Sequence, residues 1–237
     1  MLIVGLFTFA ATAAAAPAPA GAAPYRDCSD IALEPGAAMD RCDLADATII
    51  GLDLHGISLS RADLSRVNAG CDPDEPRTNL AGASLDRALL VDALLCDAIL
   101  TDADLQRSNL SGAALEDATL TRANLSRATL DGAGAHFATF ADATLENASW
   151  RDGTATATSF DGANMRRIDL RGTNVSFSTF VDADLRFARL AGVNFSGADL
   201  TGADWGKATG IAAAIYADTT CPDGTNSDTN GGTCAGH

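Results

Sequence analysis

Large apolar and small residues alternate along this chain with a period of five. From Leu80 to Trp205 every fifth position is a centre, and 16 of these 26 centres are leucine and four are phenylalanine. Two places before each centre the residue is usually small, and it is alanine in 18 of the 26 cases. A period of five fits neither the 3.6-residue period of a helix nor the two-residue period of a strand. Short fixed periods instead indicate a solenoid, whose units bury their apolar faces only by stacking.

A longer interval predicts the shape of one coil of this solenoid. Phe140, Phe160 and Phe180 lie 20 residues apart, and so do Ala135 and Ala155. Four five-residue units per coil would stack like residues on one another. We therefore predict a four-sided coil, repeated about eight times at a rise of about 4.8 Å per coil.

The repeated phrase, as in Ala103-Asp104-Leu105 and Ala198-Asp199-Leu200, resembles the repeat of the pentapeptide-repeat family. The resemblance covers roughly Asp43 to Lys207 and implies an all-β fold, the right-handed quadrilateral β-helix of that family. A helical bundle rich in alanine and leucine is the alternative. It would leave residues such as Gly112 inside helices at about 1 kcal/mol each.

Four segments follow from where the repeat begins, falters and ends. Residues 1–24 combine an apolar run with Ala-x-Ala sites, which is typical of a secretory signal peptide, although no Lys or Arg precedes the run. Residues 25–42 are predicted to form an N-terminal cap and 210–237 a C-terminal cap. The β-helix is predicted for 43–209, with a loop insertion at 69–78, where the phase of the repeat slips by one residue.

The six cysteines indicate three disulfides in an oxidising compartment. Proximity in sequence predicts that each pair closes a segment outside the regular repeat. The predicted pairs are Cys28–Cys42, Cys71–Cys96 and Cys221–Cys234. Together with the leader, they predict an extracytoplasmic protein, secreted, periplasmic or on the cell surface, without a stable membrane anchor after processing.

Three bulky residues stand at outward positions that Thr, Ser, Asn or Asp hold elsewhere. They are Leu89, Leu94 and Ile99. They predict an apolar patch, which we expect the loop at 69–78 to cover, held there by Cys71–Cys96. The alternative is that the patch binds a partner or a second copy of the chain.

The charge of the chain bears on its partners. The net charge of −15 makes this an acidic protein and argues against binding of nucleic acid or anionic membranes. The second residue after each centre nevertheless produces a basic stripe at intervals of one coil. Its members are Arg66, Arg87, Arg107, Arg127, Arg167 and Lys207. The stripe would bind an anionic polymer or a protein edge; alternatively, its arginines pair with neighbouring acids and are merely solvated.

Catalytic chemistry is not indicated by this sequence. The three histidines, His55, His136 and His237, have no second ligand type at metal spacing, and no nucleophile or phosphate-binding motif occurs. The aspartates are explained by turns, where a short polar side chain bonds the backbone. We therefore expect no enzyme, catalytic residues, cofactor or metal.

The function predicted is an exported structural or interaction module whose partner and oligomeric state stay open. The family resemblance implies an alternative, because some cytoplasmic members are acidic rods that mimic DNA and bind DNA gyrase, a type II topoisomerase.

Overall fold

The computed structural model describes residues 25, 26, 28, 31–72 and 74–236. The signal peptide predicted for 1–24 lies outside these residues. Within the described part the backbone forms single-residue parallel bridges, each joining a residue to one in the next coil, as Ala114 joins Gly134 and Thr119 joins Thr139. Two-residue turns separate successive bridges, so a coil of 20 residues has four sides and four corners.

The corners depend on one backbone conformation. The second residue of each turn has a positive φ, for example 59° at Asp102 and 69° at Gly112. This left-handed region suits Gly, Asp and Asn best. Side chains at these corners point away from the core, so the corners carry much of the exposed charge.

Nine rungs stack on each side among the described residues, rather than the eight expected. One ladder consists of Ala38, Ser58, Ser84, Asp104, Asn124, Thr144, Asn164, Asp184 and Asp204. The additional rungs come from three units outside the predicted 43–209, the first of which begins at Ala38, inside the segment expected to be a cap. The centre of this first unit is Met39 in place of leucine, which hides the repeat. At the other end Ile215 and Thr220 still join the ladders.

The centres and the small residues point into a narrow core. Leucine and alanine fill most of its N-terminal half, and an aromatic stack that begins at Phe140 runs through much of the rest. Phe160 lies 5.3 Å from Phe140 and 4.8 Å from Phe180, measured between ring centroids, with interplanar angles of 18° and 15°. The predicted stacking at 20-residue intervals is confirmed.

Polar side chains before the centres stabilise the turns. The Asn109 side-chain oxygen accepts a hydrogen bond from the Ser111 amide at 3.1 Å, and Asp199 accepts one from Thr201 at 2.9 Å. Such bonds let Asp and Asn hold a turn through their own side chains. These carboxylates are therefore explained by the fold.

The loop insertion adds six residues to one coil. Asp53 pairs with Asn79 and Asn68 pairs with Leu94, each 26 residues apart instead of 20. Six residues are one repeat plus one, which is why the sequence shows a slip of only one. The Thr78 hydroxyl anchors the end of the loop by donating to the Ala69 carbonyl at 2.7 Å.

Both ends of the rod are covered. Arg26 bridges to Cys42 and lies over the first coil. At the other end the 3-10 helices Ile211–Ala213 and Ser227–Asn230 flank an antiparallel bridge between Thr220 and Asn226. Within the described residues no helix is long and apolar enough to cross a bilayer.

The structure contains three disulfides, and they are the three pairs named from the sequence. Cys28 bonds Cys42, Cys71 bonds Cys96, and Cys221 bonds Cys234. No cysteine is free. Two bonds lie at the ends of the rod and the third joins the loop to the next coil.

Replacing Gly153 by alanine should lower the free energy of unfolding by about 1–3 kcal/mol, because the core is already full there. A Cβ at this position would lie 2.8 Å from the Ala133 carbonyl oxygen and would collide with the Trp150 indole. Chemical denaturation measures the loss. Gly134→Ala is the matched control, since its Cβ would meet only the mobile end of Glu116. Equal stability of the two variants would contradict the packing argument.

Candidate functional site: a basic corner

One corner of the rod carries a line of cations. Backbone hydrogen bonds place its members in consecutive coils, as when the Arg87 amide donates to Gln106 and the Arg107 amide to Ser126. Seven of its nine positions are basic. We call this line the basic corner, and from first coil to last it consists of Arg41, Arg61, Arg87, Arg107, Arg127, Asn147, Arg167, Phe187 and Lys207.

The structure contradicts the assignment of Arg66 to this line. The Arg61 amide, not that of Arg66, donates to Asp86 beneath Arg87. Arg66 lies at the next corner, where its guanidinium binds both carboxylate oxygens of Asp46 at 2.7 Å. The error arose from the loop, because a slip of one residue was assumed where the coil is lengthened by six. The other five predicted members lie on the basic corner.

Six of the nine arginines at other positions are neutralised by carboxylates, whereas Arg26, Arg77 and Arg166 form no ion pair among the described residues. Arg122 binds Asp102 at 2.7 Å, and Arg171 binds Asp169 at the same distance. The same holds for Arg66, Arg151, Arg186 and Arg189. The hydrogen bond from Arg171 holds the pKa of Asp169 below its usual range, so this carboxylate keeps its charge to a lower pH than an isolated one.

The basic corner is much less neutralised. Asp86 serves both Arg107, at 2.9 Å, and Arg87, at 3.8 Å, and Glu146 lies 4.0 Å from Arg167. In the part of the chain that the structure describes, no carboxylate lies within ion-pair distance of Arg41, Arg61, Arg127 or Lys207. The corner therefore presents uncompensated positive charge on an acidic protein.

At its C-terminal end the corner widens into a cationic cluster around Phe187. Arg166, Arg167 and Lys207 lie 5.8, 5.5 and 5.3 Å from the centroid of this ring. Arg166, Phe187 and Lys207 of this cluster line an open cleft of about 430 Å³ together with Arg186, Asp204 and Gly206. The ring stabilises nearby cations through its π face. Phe187 follows Arg167 at the 20-residue interval of the stripe, but the interval alone gave no sign of this contact.

A family comparison identifies the fold. The profile described as Pentapeptide repeats matches eight copies, over residues 36–69, 77–112, 98–133, 108–147, 138–176 and 178–204. The chain belongs to the pentapeptide-repeat family. Its four-sided parallel coils are the right-handed quadrilateral β-helix that the resemblance implied. No curated protein matches the chain significantly.

Several solved pentapeptide-repeat structures are similar to this chain. HetL from the cyanobacterium Nostoc sp. strain PCC 7120, involved in heterocyst differentiation regulation, is 27% identical over 81% of this chain and 92% of its own, with a TM-score of 0.49. QnrB1, a plasmid-mediated fluoroquinolone resistance protein, is 16% identical over 74% and 87%, with a TM-score of 0.46. Rfr23 from the cyanobacterium Cyanothece 51142 is 27% identical over 53% and 85%, with a TM-score of 0.26.

The predicted apolar patch does not exist as one surface of this pentapeptide-repeat rod. Leu89, Leu94 and Ile99 belong to three different ladders, so they lie on three successive sides. The loop does not cover Leu94, which is 41% exposed. Instead the loop lies against a corner, where Pro76 packs beside Gly51 and the Arg77 guanidinium donates to the Asp97 carbonyl at 2.6 Å. Residues five positions apart lie on successive sides of the coil, and the prediction of a single patch did not take this step into account.

Proposed function

We propose that this chain is an exported, rigid binding module that holds an anionic partner along its basic corner and performs no catalysis. The observation that carries the proposal is the contrast in charge pairing. Six arginines elsewhere on the rod have carboxylate partners, Arg66, Arg122 and Arg171 among them, whereas four of the seven cations of the basic corner have none among the described residues. An anionic ligand would neutralise this uncompensated line of positive charges.

Electrostatics explains why such a line favours a ligand. Neighbouring coils are about 4.8 Å apart, so adjacent cations repel each other by about 1 kcal/mol in water at low salt. A bound anion between them replaces this repulsion by attraction. The straight corner and its regular spacing suit a linear polymer with repeated anionic groups.

Export is supported by the cysteines and by the leader pattern of 1–24. All six cysteines are paired, which suits an oxidising compartment. Fractionation of the native host, followed by intact mass and thiol labelling, tests this part of the proposal. A shortened species without free thiols supports export. A full-length, reduced cytoplasmic species would contradict export and favour the DNA-mimic alternative.

Removing charge from the basic corner should weaken binding of polygalacturonate, a linear polymer with regularly spaced carboxylates. We expect Arg61→Ala with Arg127→Ala to lower the affinity at least tenfold, because neither side chain has a competing carboxylate. The salt dependence of binding should fall with each cation removed. Titration calorimetry at two salt concentrations measures both effects.

The matched control removes the same number of charges elsewhere. Arg122→Ala with Arg171→Ala eliminates two paired arginines of other corners and sides. This variant should bind polygalacturonate as the parent does. An equal loss in both variants would show that net charge, and not the basic corner, governs binding, and the proposal would fail.

A further inference from the structure

A second corner of the rod presents aromatic side chains to solvent. Phe137 is 66% exposed and Phe177 is 69% exposed, the two largest values among the large hydrophobic residues that the structure describes. Backbone bonds from Phe137 to Thr156 and from Ala157 to Ser176 place both phenylalanines in one line, two coils apart. We call the line of Phe137, Ala157, Phe177 and Gly197 the aromatic corner.

The aromatic corner and the basic corner are diagonally opposite. Two sides of each coil separate them, as Arg127 and Phe137 show by lying ten residues apart in the same coil. A ligand on one corner therefore leaves the other corner free. Any function of the aromatic corner is independent of the one proposed above.

Both phenylalanines adopt a conformation that their side chains disfavour. Their φ angles are 60° and 61°, in the left-handed region where a bulky residue is uncommon. Gly, Asp and Asn occupy many equivalent corners of this rod at lower cost. Exposed phenylalanine at a strained position contributes little to folding, and this combination points to use by a ligand.

Small neighbours leave room for the rings to lie along the rod. A Cβ on Gly197 would be 2.5 Å from Phe177 Cδ1, so the ring of Phe177 extends over this glycine. Ala157 stands between the two phenylalanines and leaves a gap there. Since they are two coils apart, the rings are about 10 Å apart along the axis.

The surroundings of the two rings are polar, and apart from His136 the ionisable groups lie towards the ends of the corner, with Glu116 and Asp117 below Phe137 and Asp199 beside Gly197. Beside the two rings, the outward residues of the adjoining sides have only hydroxyl and amide groups. They are Thr154 and Asn174 on one side and Thr139, Ser159 and Thr179 on the other. His136 at the corner bonds the hydroxyls of Thr156 and Thr154. On a protein with a net charge of −15, this region is suited to an uncharged partner.

We propose that the aromatic corner binds a neutral, extended polysaccharide. Sugar rings have apolar faces that pack on phenylalanine, and their hydroxyls bond Thr, Ser and Asn side chains. One sugar of an extended chain covers a length similar to the rise of one coil, so alternate sugars lie over Phe137 and Phe177. The intervening sugar lies over Ala157, where no ring obstructs it.

The chemistry favours this ligand over two others. An anionic polymer finds no cation at this corner and meets Asp97 and Asp117 directly below Phe137. A second copy of the chain would bring two strongly acidic molecules together for contact along one edge only, although stable interfaces need about 800 Å² from each partner.

Titration calorimetry of the full chain with cellohexaose, xylohexaose and chitohexaose at millimolar concentration tests the proposal. At least one of them should bind, with an affinity that does not change when salt is raised. Phe137→Ala and Phe177→Ala should each weaken this binding about tenfold, as expected for residues that dominate an interface. Phe187→Ala is the matched control, because this phenylalanine has the same backbone conformation at the basic corner, and it should bind as the parent does.

Three results would overturn the proposal. The first is that none of the three hexasaccharides binds. The second is that the Phe187 variant loses as much affinity as the other two. The third is a dimer in sedimentation that Phe137→Ala and Phe177→Ala convert to a monomer, since the corner would then serve self-association. Loss of polygalacturonate binding in the arginine variants bears only on the basic corner, so the two proposals fail independently.

Discussion

Replacing Phe160 by alanine is expected to lower the free energy of unfolding by about 3–5 kcal/mol. The ring is fully buried and stacks on Phe140 and Phe180, and its centroid lies 6.0 Å from that of Trp150. Alanine would leave a cavity in the middle of the aromatic stack and remove three ring contacts at once. The narrow four-sided core cannot collapse around the gap without bending every coil above it.

Denaturant titration, followed by circular dichroism and by tryptophan fluorescence, measures this loss. Phe137→Ala is the control, because it removes the same side chain from a largely exposed position and should change stability by about 0.5 kcal/mol or less. The comparison is valid if the free energy of unfolding falls with denaturant concentration at a similar slope in both variants. A loss below about 1 kcal/mol for Phe160→Ala would contradict the importance of the stack.

The interior of this rod could be predicted from the sequence because it depends on one rule applied every five residues. Each centre, such as Phe160, packs against the centres 20 residues before and after it, so the 20-residue interval also predicts which rings stack. The Asn and Asp residues before the centres could be predicted as well, because their side-chain oxygens accept hydrogen bonds from amides of the turn that follows.

The surface could be predicted only as far as the coil length was known. Arg87, Arg107 and Arg127 were aligned correctly because regular coils separate them. Arg66 was misplaced because a sequence period of five cannot distinguish an insertion of one residue from one of six. Leu89, Leu94 and Ile99 were grouped wrongly for a different reason, because residues five positions apart lie on successive sides.

The two ends show a different limit. Met39 replaces leucine in the first coil, and one additional residue precedes Ile215 in the last, so the repeat is less regular where coils lack a neighbour. Terminal units of a solenoid need special residues to cover their open edge. The disulfides Cys28–Cys42 and Cys221–Cys234 are found at these ends.

Removing the C-terminal disulfide by Cys221→Ala with Cys234→Ala should cost about 3 kcal/mol, the value for a closed loop of this length. Both cysteines are fully buried, and the bond spans 13 residues. The segment that it closes lies on the last coil, where the Leu200 amide donates to the Thr220 carbonyl at 2.9 Å. Once this segment loosens, the last coil exposes unpaired backbone groups to other chains.

Association of the variant chains, as distinct from their loss of stability, shows whether the C-terminal disulfide protects the open edge or only cross-links the chain. Cys71→Ala with Cys96→Ala opens a longer loop, of 25 residues, and should cost about 3–4 kcal/mol on the same entropic argument. It leaves both ends of the rod covered. We therefore expect only the Cys221 and Cys234 variant to associate at rising protein concentration in sedimentation velocity. If the two variants associate equally, the C-terminal segment stabilises the chain without protecting its edge.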